Sequence, residues 1–213
     1  MAQIGLFQLS ANNYINKRKR NCYIISFQFS IIYMIMENND NIITPLHTDK
    51  NIIKMIDSIG FYAPYILLFL TSFFIWNRKV YLLGYLVFFF INIFLNKLLK
   101  LTFREPRPND YQIYDNTFEK TTNEEVFGMP SGHAQSVAFS ITFLYLLTKS
   151  RLLFIITTFI GALCVYQRWK YRRHTINQLA IGTLVGSSFG GMVYYLITKY
   201  MKTKTQIQPQ IKI

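Results

Sequence analysis

Three short pieces of this chain carry residues suited to holding and attacking a phosphoryl group. Lys100 is followed, after six residues, by Arg107 and Pro108; Gly128-Met129-Pro130-Ser131-Gly132-His133 opens an apolar run; Arg168 is followed, after five residues, by His174. A phosphoryl group in transfer spreads charge over three oxygens, so catalysis rests on positioning and positive charge around them. Lys100, Arg107 and Arg168 supply the charge, and arginine can bond two oxygens at once. Pro130 suits the first turn of a helix, where a missing N–H matters little. Ser131 and the Gly132 N–H then offer neutral donors at a helix start, a place that favours anions. One of the two histidines, His133 or His174, would attack phosphorus and the other would protonate the leaving oxygen. No CxxC, HExxH or acidic cluster points to a metal, so neither a metal nor another cofactor is expected.

These pieces need a scaffold that brings them to one place. The 213 residues are 51% hydrophobic, with 19 Phe and 15 Tyr, and the apolar residues gather in runs of spanning length. A net charge of +13 raises the question of nucleic acid, but the Lys and Arg residues cluster at the ends of apolar runs, as in a membrane protein. The fold expected is an all-α, polytopic membrane helix bundle, with the bilayer and not nucleic acid as its partner. Cys22 and Cys164 both lie in apolar runs and imply no disulfide framework.

Five spans are expected: Gly60 to Trp76, Val80 to about Leu101, Pro130 to Leu147, Leu152 to Gln167, and Ile176 to Ile197. Residues 1–59 form an N-terminal extension. Within it, Lys17-Arg18-Lys19-Arg20 before the apolar run 22–36 resembles a signal-anchor, which would make a sixth span, and Met34 and Met36 offer alternative starts. A surface helix is expected near Ile52 to Ile59. Residues 60–197 form the membrane domain, and 198–213 an exposed, poorly ordered basic tail. Gly182, Gly186, Gly190 and Gly191 recur at about helical spacing, so one face of the last span can pack closely.

Threading the spans puts Arg78-Lys79, Lys149-Arg151 and the tail on one side, which the positive-inside rule makes cytoplasmic. The loop 102–132 and the segment 168–175 then share the lumenal or external face. Interfacial snorkelling would account for Lys100, Arg104 and Arg107. Against it, that face should be poor in Lys and Arg unless they bind something negative. Snorkelling is the expected role of Lys170, Arg172 and Arg173, which with Arg104 can also steer an anionic head group.

In order and spacing, Lys100-x6-Arg107-Pro108, Pro130-Ser131-Gly132-His133 and Arg168-x5-His174 resemble the three signature motifs of the type 2 phosphatidic acid phosphatase (PAP2) superfamily, over roughly residues 60–197. The resemblance implies a metal-independent lipid phosphatase with His174 as the nucleophile that forms a phosphohistidine. It implies His133 as general acid, and Lys100, Arg107, Ser131, Gly132 and Arg168 as phosphate ligands. Gln167 stands where the family usually has Ser, and Gln178 where it usually has Asp. Positions i and i+4 share a helix face, so the Gln178 amide oxygen can accept the His174 N–H and orient the ring. The dolichyl diphosphatase branch is similar at Glu105-Pro106-Arg107-Pro108, at Gly128 to Ser131 and at His174-Thr175-Ile176-Asn177-Gln178, although Gly132 replaces a common second Ser. That implies hydrolysis of a dolichyl or other polyprenyl diphosphate in the endoplasmic reticulum. The alternatives are a broad phosphatidate-type phosphatase and a non-catalytic lipid-phosphate-binding protein.

Overall fold

The computed structural model describes residues 50–110, 112, 114 and 127–207. The signal-anchor expected at 22–36, and the end of the tail, lie outside them. The described residues form helices α1 (Lys50–Phe74), α2 (Lys79–Phe103), α3 (Gly132–Thr148), α4 (Arg151–Lys170) and α5 (Ile176–Ile207), with a single bridge between Pro106 and Phe127. All but α3 are long and apolar enough to cross a membrane.

The helix α3 is the axis of the bundle. It has 17 residues, about 25 Å at 1.5 Å per residue. Ala134 to Leu144 are buried without a break, so no face of α3 is left for solvent or lipid. Its polar side chains are buried too, and Gln135 and Ser140 are hydrogen-bonded inside the bundle. The outer helices differ: each buries one stripe and exposes large apolar residues on the other. On α1, Ala63, Leu67 and Thr71 are buried while Phe69 and Phe73 are more than 70% exposed. On α2, Tyr85, Phe89, Asn92, Asn96 and Lys100 form the buried stripe. Apolar side chains turned outward all round a bundle are what a lipid environment requires, and the chain is an integral membrane protein.

The tightest seam runs between α3 and α5. A Cβ on Gly186 would lie 2.0 Å from the Gln135 carbonyl oxygen, one on Gly182 2.6 Å from that of Ser131, and one on Gly190 2.7 Å from that of Phe139. Backbone meets backbone there because three positions lack side chains, the small-residue packing the glycine spacing predicts. Gly191 needs no such closeness: a Cβ there would meet only the Leu146 side chain of α3, at 3.9 Å. The seam fixes the start of α3 against the start of α5. At the far end of the bundle the two short basic turns meet, where Arg78 Nη1 donates to the Leu147 carbonyl at 3.2 Å. An aromatic cluster of Tyr85, Phe89, Phe139 and Phe143 fills the space toward that end.

Three local expectations change. The segment Ile52 to Ile59 is no separate surface helix, since α1 runs unbroken from Lys50 through Pro64 to Phe74. Pro130 lies outside α3, which starts at Gly132 with Ser131 as its N-cap. The basic tail is helical through Ile207 as an extension of α5, although Lys199, Lys202 and Lys204 are exposed as expected.

Candidate active site

At the end of the bundle opposite the two basic turns, the three pieces come together around Gln178. The helix α2 stops at Arg104, whose left-handed backbone (φ 49°) turns the chain back while its N–H still bonds to the Lys100 carbonyl. Glu105 and Pro106 then run extended beside Phe127 and Gly128, and the Gly128 N–H donates to the Glu105 carbonyl at 2.7 Å. Proline at 106 and 108 keeps this stretch from re-entering a helix. The Ser131 N–H donates to the Gln178 carbonyl at 3.0 Å. So the loop after α2, the start of α3 and the start of α5 are tied by backbone before any side chain is considered.

The link from α4 to α5 presents Arg168 and His174. Tyr171 and Arg173 donate their N–H groups to the Gln167 and Arg168 carbonyls, and Arg172 takes the left-handed conformation (φ 51°). This tight reversal buries Arg168, Arg173 and His174 together. Thr175 caps α5, with its Oγ1 accepting from the Gln178 N–H at 3.3 Å.

The Gln178 side chain is 0% exposed and uses its whole hydrogen-bonding capacity. Its Nε2 donates to Glu105 Oε1 and to the Pro106 carbonyl, both at 2.9 Å. Its Oε1 accepts from the Thr175 N–H at 3.3 Å and faces His174 Nδ1 at 3.1 Å. Two acceptors on one side fix which end of the amide carries the nitrogen. The oxygen therefore faces the ring, Nδ1 must carry the hydrogen, and His174 Nε2 keeps its lone pair.

Burial holds the His174 pKa well below the usual histidine value, and the charges of Arg107, Arg168 and Lys100 push it the same way, against the Gln178 hydrogen bond. The ring is neutral at pH 7. The charges of all three sequence-predicted cations thus act on His174. Lys100 and Arg168 are buried, and Arg107 is half-buried. His133, half-buried at the second position of α3, lies within the field of the same three cations and of His174.

The Ser131 hydroxyl has a structural role not expected from the sequence. It accepts from the Ala134 N–H at 3.5 Å as the cap of α3, while its own N–H is committed to Gln178. The backbone donors of Gly132 and His133 belong to the unpaired first turn. Gly132 sits against Asn96, where a Cβ would come within 3.0 Å of Oδ1. Asn96 Nδ2 donates to the Pro130 carbonyl at 3.1 Å and to Gln135 Oε1 at 2.8 Å, and Gln135 Nε2 donates to Asn92 Oδ1 at 2.9 Å. A buried amide ladder thus supports the start of α3 from below.

Sequence reasoning missed several of these residues. Phe61 lies between two of the site candidates, 4.8 Å from the Arg168 guanidinium and 6.0 Å from the His133 ring. Asn92 and Asn96 share a face with Lys100 at i, i+4, i+8, a signal that was there to be read. Asp57 is buried and binds Lys170 Nζ at 2.7 Å and the Tyr171 hydroxyl at 3.0 Å. Lys170 is therefore a tie between α1 and α4 rather than a snorkelling charge. Arg172 pairs with Asp110, and Arg173 is buried, so snorkelling describes neither. Exposed Arg104 folds back on the Leu101 carbonyl at 3.0 Å. Beside His174 a cavity of about 720 Å³ opens between Pro108, Trp169, Lys170, Arg172 and Ile176. Among the described residues, no three His, Cys, Asp or Glu side chains converge to hold a metal ion.

Comparison with known proteins identifies the family. The PAP2 superfamily model matches residues 81–202. Dolichyldiphosphatase of Saccharomyces cerevisiae is 26% identical over 117 residues, covering 50% of this chain and 48% of that protein. The chain thus spans about half the length of that curated relative. A solved transmembrane PAP2-type phosphatidylglycerolphosphate phosphatase from Bacillus subtilis aligns over 86% of this chain and 96% of its own, at 16% identity and a TM-score of 0.44.

Proposed function

This chain belongs to the PAP2 superfamily, and we propose that it hydrolyses a dolichyl or other polyprenyl diphosphate to the monophosphate and inorganic phosphate. The observation that carries the reading is the Gln178 amide, which commits the His174 Nδ1 to its hydrogen and leaves Nε2 as a neutral nucleophile. His174 Nε2 attacks the terminal phosphorus, and the bond from phosphorus to the bridging oxygen breaks. His133 gives its proton to that leaving oxygen. A water, deprotonated by His133, then cleaves the phosphohistidine and releases phosphate. Lys100, Arg107 and Arg168 hold the phosphoryl oxygens, with the Ser131 hydroxyl and the Gly132 N–H as neutral donors. No step calls for a metal ion.

The diphosphate substrate rests on the likeness to the yeast protein and on the residues of this site that resemble that branch, Glu105 to Pro108 and His174 to Gln178. The lipid tail stays in the bilayer, and the head enters by the cavity beside His174. With α3 counted as a span, five helices cross. The Arg78 and Lys149–Arg151 turns face the cytoplasm, and the site opens on the lumenal or external face, in the endoplasmic reticulum for a dolichyl substrate. Residues 60–197 carry the phosphatase unit, with Lys50 to Ile59 lengthening its first helix.

The test is phosphate release by the purified protein in detergent with chelator present. A polyprenyl diphosphate, its monophosphate and phosphatidate are compared for the wild type and His174→Ala. Release from the diphosphate alone, lost in the variant, is the expected result. Equal release from all three moves the substrate to a broad phosphatidate-type range. Binding of these lipids without release overturns the enzyme and leaves a lipid-phosphate-binding protein.

A further inference from the structure

The family pattern places a carboxylate in contact with the nucleophilic histidine, and here an amide, Gln178, stands there. A carboxylate is nonetheless one hydrogen bond further on. We propose that Glu105 is a positioning residue that acts on His174 through Gln178, so that the chain Glu105–Gln178–His174 does the work of a single aspartate. The inference rests on the phosphatase reading above.

The geometry is specific. Glu105 Oε1 accepts from Gln178 Nε2 at 2.9 Å, and Gln178 Oε1 faces His174 Nδ1 at 3.1 Å. Glu105 is 73 residues from Gln178 in sequence, and its backbone is held by the Gly128 N–H at 2.7 Å. Gly128 is part of the device. A Cβ there would lie 2.4 Å from Gln178 Oε1 and 2.7 Å from Nε2, so only glycine lets the amide lie flat between the loop and the ring. The surroundings explain why a carboxylate is needed. Lys100 from α2, Arg107 from the loop and Arg168 from α4 all act on His174, with His133 of α3 close by. When Nε2 bonds to phosphorus and Nδ1 keeps its hydrogen, the ring becomes a cation among cations. A negative charge that polarises the Gln178 amide strengthens its acceptance from Nδ1–H as that charge develops. No proton need leave the ring, and none passes through the amide.

A purely structural tie would need only an acceptor at position 105. Glu105→Gln keeps an acceptor oxygen and removes the charge, so it separates the two roles. The expected result is a kcat about 10–100-fold lower with KM within about twofold, the usual scale for an outer partner of a reacting group. A second readout needs no turnover. The chain has three histidines, so selective 15N-histidine labelling in detergent resolves the His174 ring. In Glu105→Gln its Nδ1–H tautomer should persist while its titration moves to lower pH. A wild-type kcat in Glu105→Gln, together with an unmoved His174 titration, overturns the relay and leaves the phosphatase reading intact. If the wild type itself releases no phosphate, the phosphatase reading fails. The titration then decides the relay alone: a shift supports it, and no shift overturns it.

Discussion

Two glutamines occupy positions where the family usually carries other residues, and both are fully buried, yet their surroundings differ. Gln178 has partners for both amide hydrogens and two for its oxygen, drawn from the loop after α2, from His174 and from Thr175. Gln167 accepts from Arg168 Nε on its Oε1 at 2.6 Å, and its Nε2 meets no hydrogen-bond partner among the described residues. An amide with every group satisfied in a buried site specifies a geometry, whereas a half-satisfied one carries a desolvation penalty. The contrast teaches that a departure from a motif is judged by what surrounds it. The site is built around Gln178, while Gln167 backs one edge of a guanidinium, and nothing in the structure explains why it is Gln rather than Ser.

Substitutions sharpen this contrast, beginning with the ring that Gln178 holds. His174→Ala should lower kcat by about 10⁴-fold or more, since loss of a nucleophile removes the covalent route. Gln178→Asp follows. A shorter side chain with no donor would leave the Pro106 carbonyl unpaired and set a second carboxylate near Glu105. A loss of about tenfold or more in kcat is expected. A large gain instead would mean that the site is degraded and that Gln178 is its defect. Gly128→Ala should cost about tenfold in kcat, because its Cβ would displace an amide that sets the ring angle. Gln167→Ser is the smallest effect expected, with kcat within about threefold and a stability loss of about 1–3 kcal/mol from the space left behind. If Gln167→Ser fell as far as Gln178→Asp, the two glutamines would be equivalent and the contrast would break.

The pH profile tests the same contrast from the side of the ring. In the proposed mechanism the nucleophile is neutral His174, whose pKa is lowered by burial and by Arg107, Arg168 and Lys100. Protonation, and with it the loss of kcat/KM, should come only at a pH below the ordinary histidine range. An acid limb at or above that range would mean that the cations do not face His174 in solution.

Much of this was legible because it is local. Contacts at i and i+4 tie His174 to Gln178, and glycines at that spacing predict the close seam of α5 on α3. The apolar runs mark the helices because lipid-facing and buried faces are both apolar. What stayed hidden depends on the tertiary meeting of distant segments. Asp57 and Lys170 are 113 residues apart, and Phe61 reaches Arg168 and His133 only once α1 is docked. Glu105 is legible as a loop residue beside Pro106, but its partner Gln178 lies 73 residues on and meets it only when the loop after α2 folds against the start of α5. The start of α3 was misplaced for the opposite reason. Pro130 suits a first turn by its own preference, and the Ser131 cap overrides it.

In the proposed mechanism His174 Nε2 becomes bonded to phosphorus. Rapid quenching of the wild type and His174→Ala with a polyprenyl diphosphate labelled at the terminal phosphate tests it directly. The expected result is a labelled protein adduct, stable to alkali and labile to acid, that maps to the peptide holding His174 and is absent from the variant. Phosphate release without any such adduct, or an adduct that survives in His174→Ala, would contradict it.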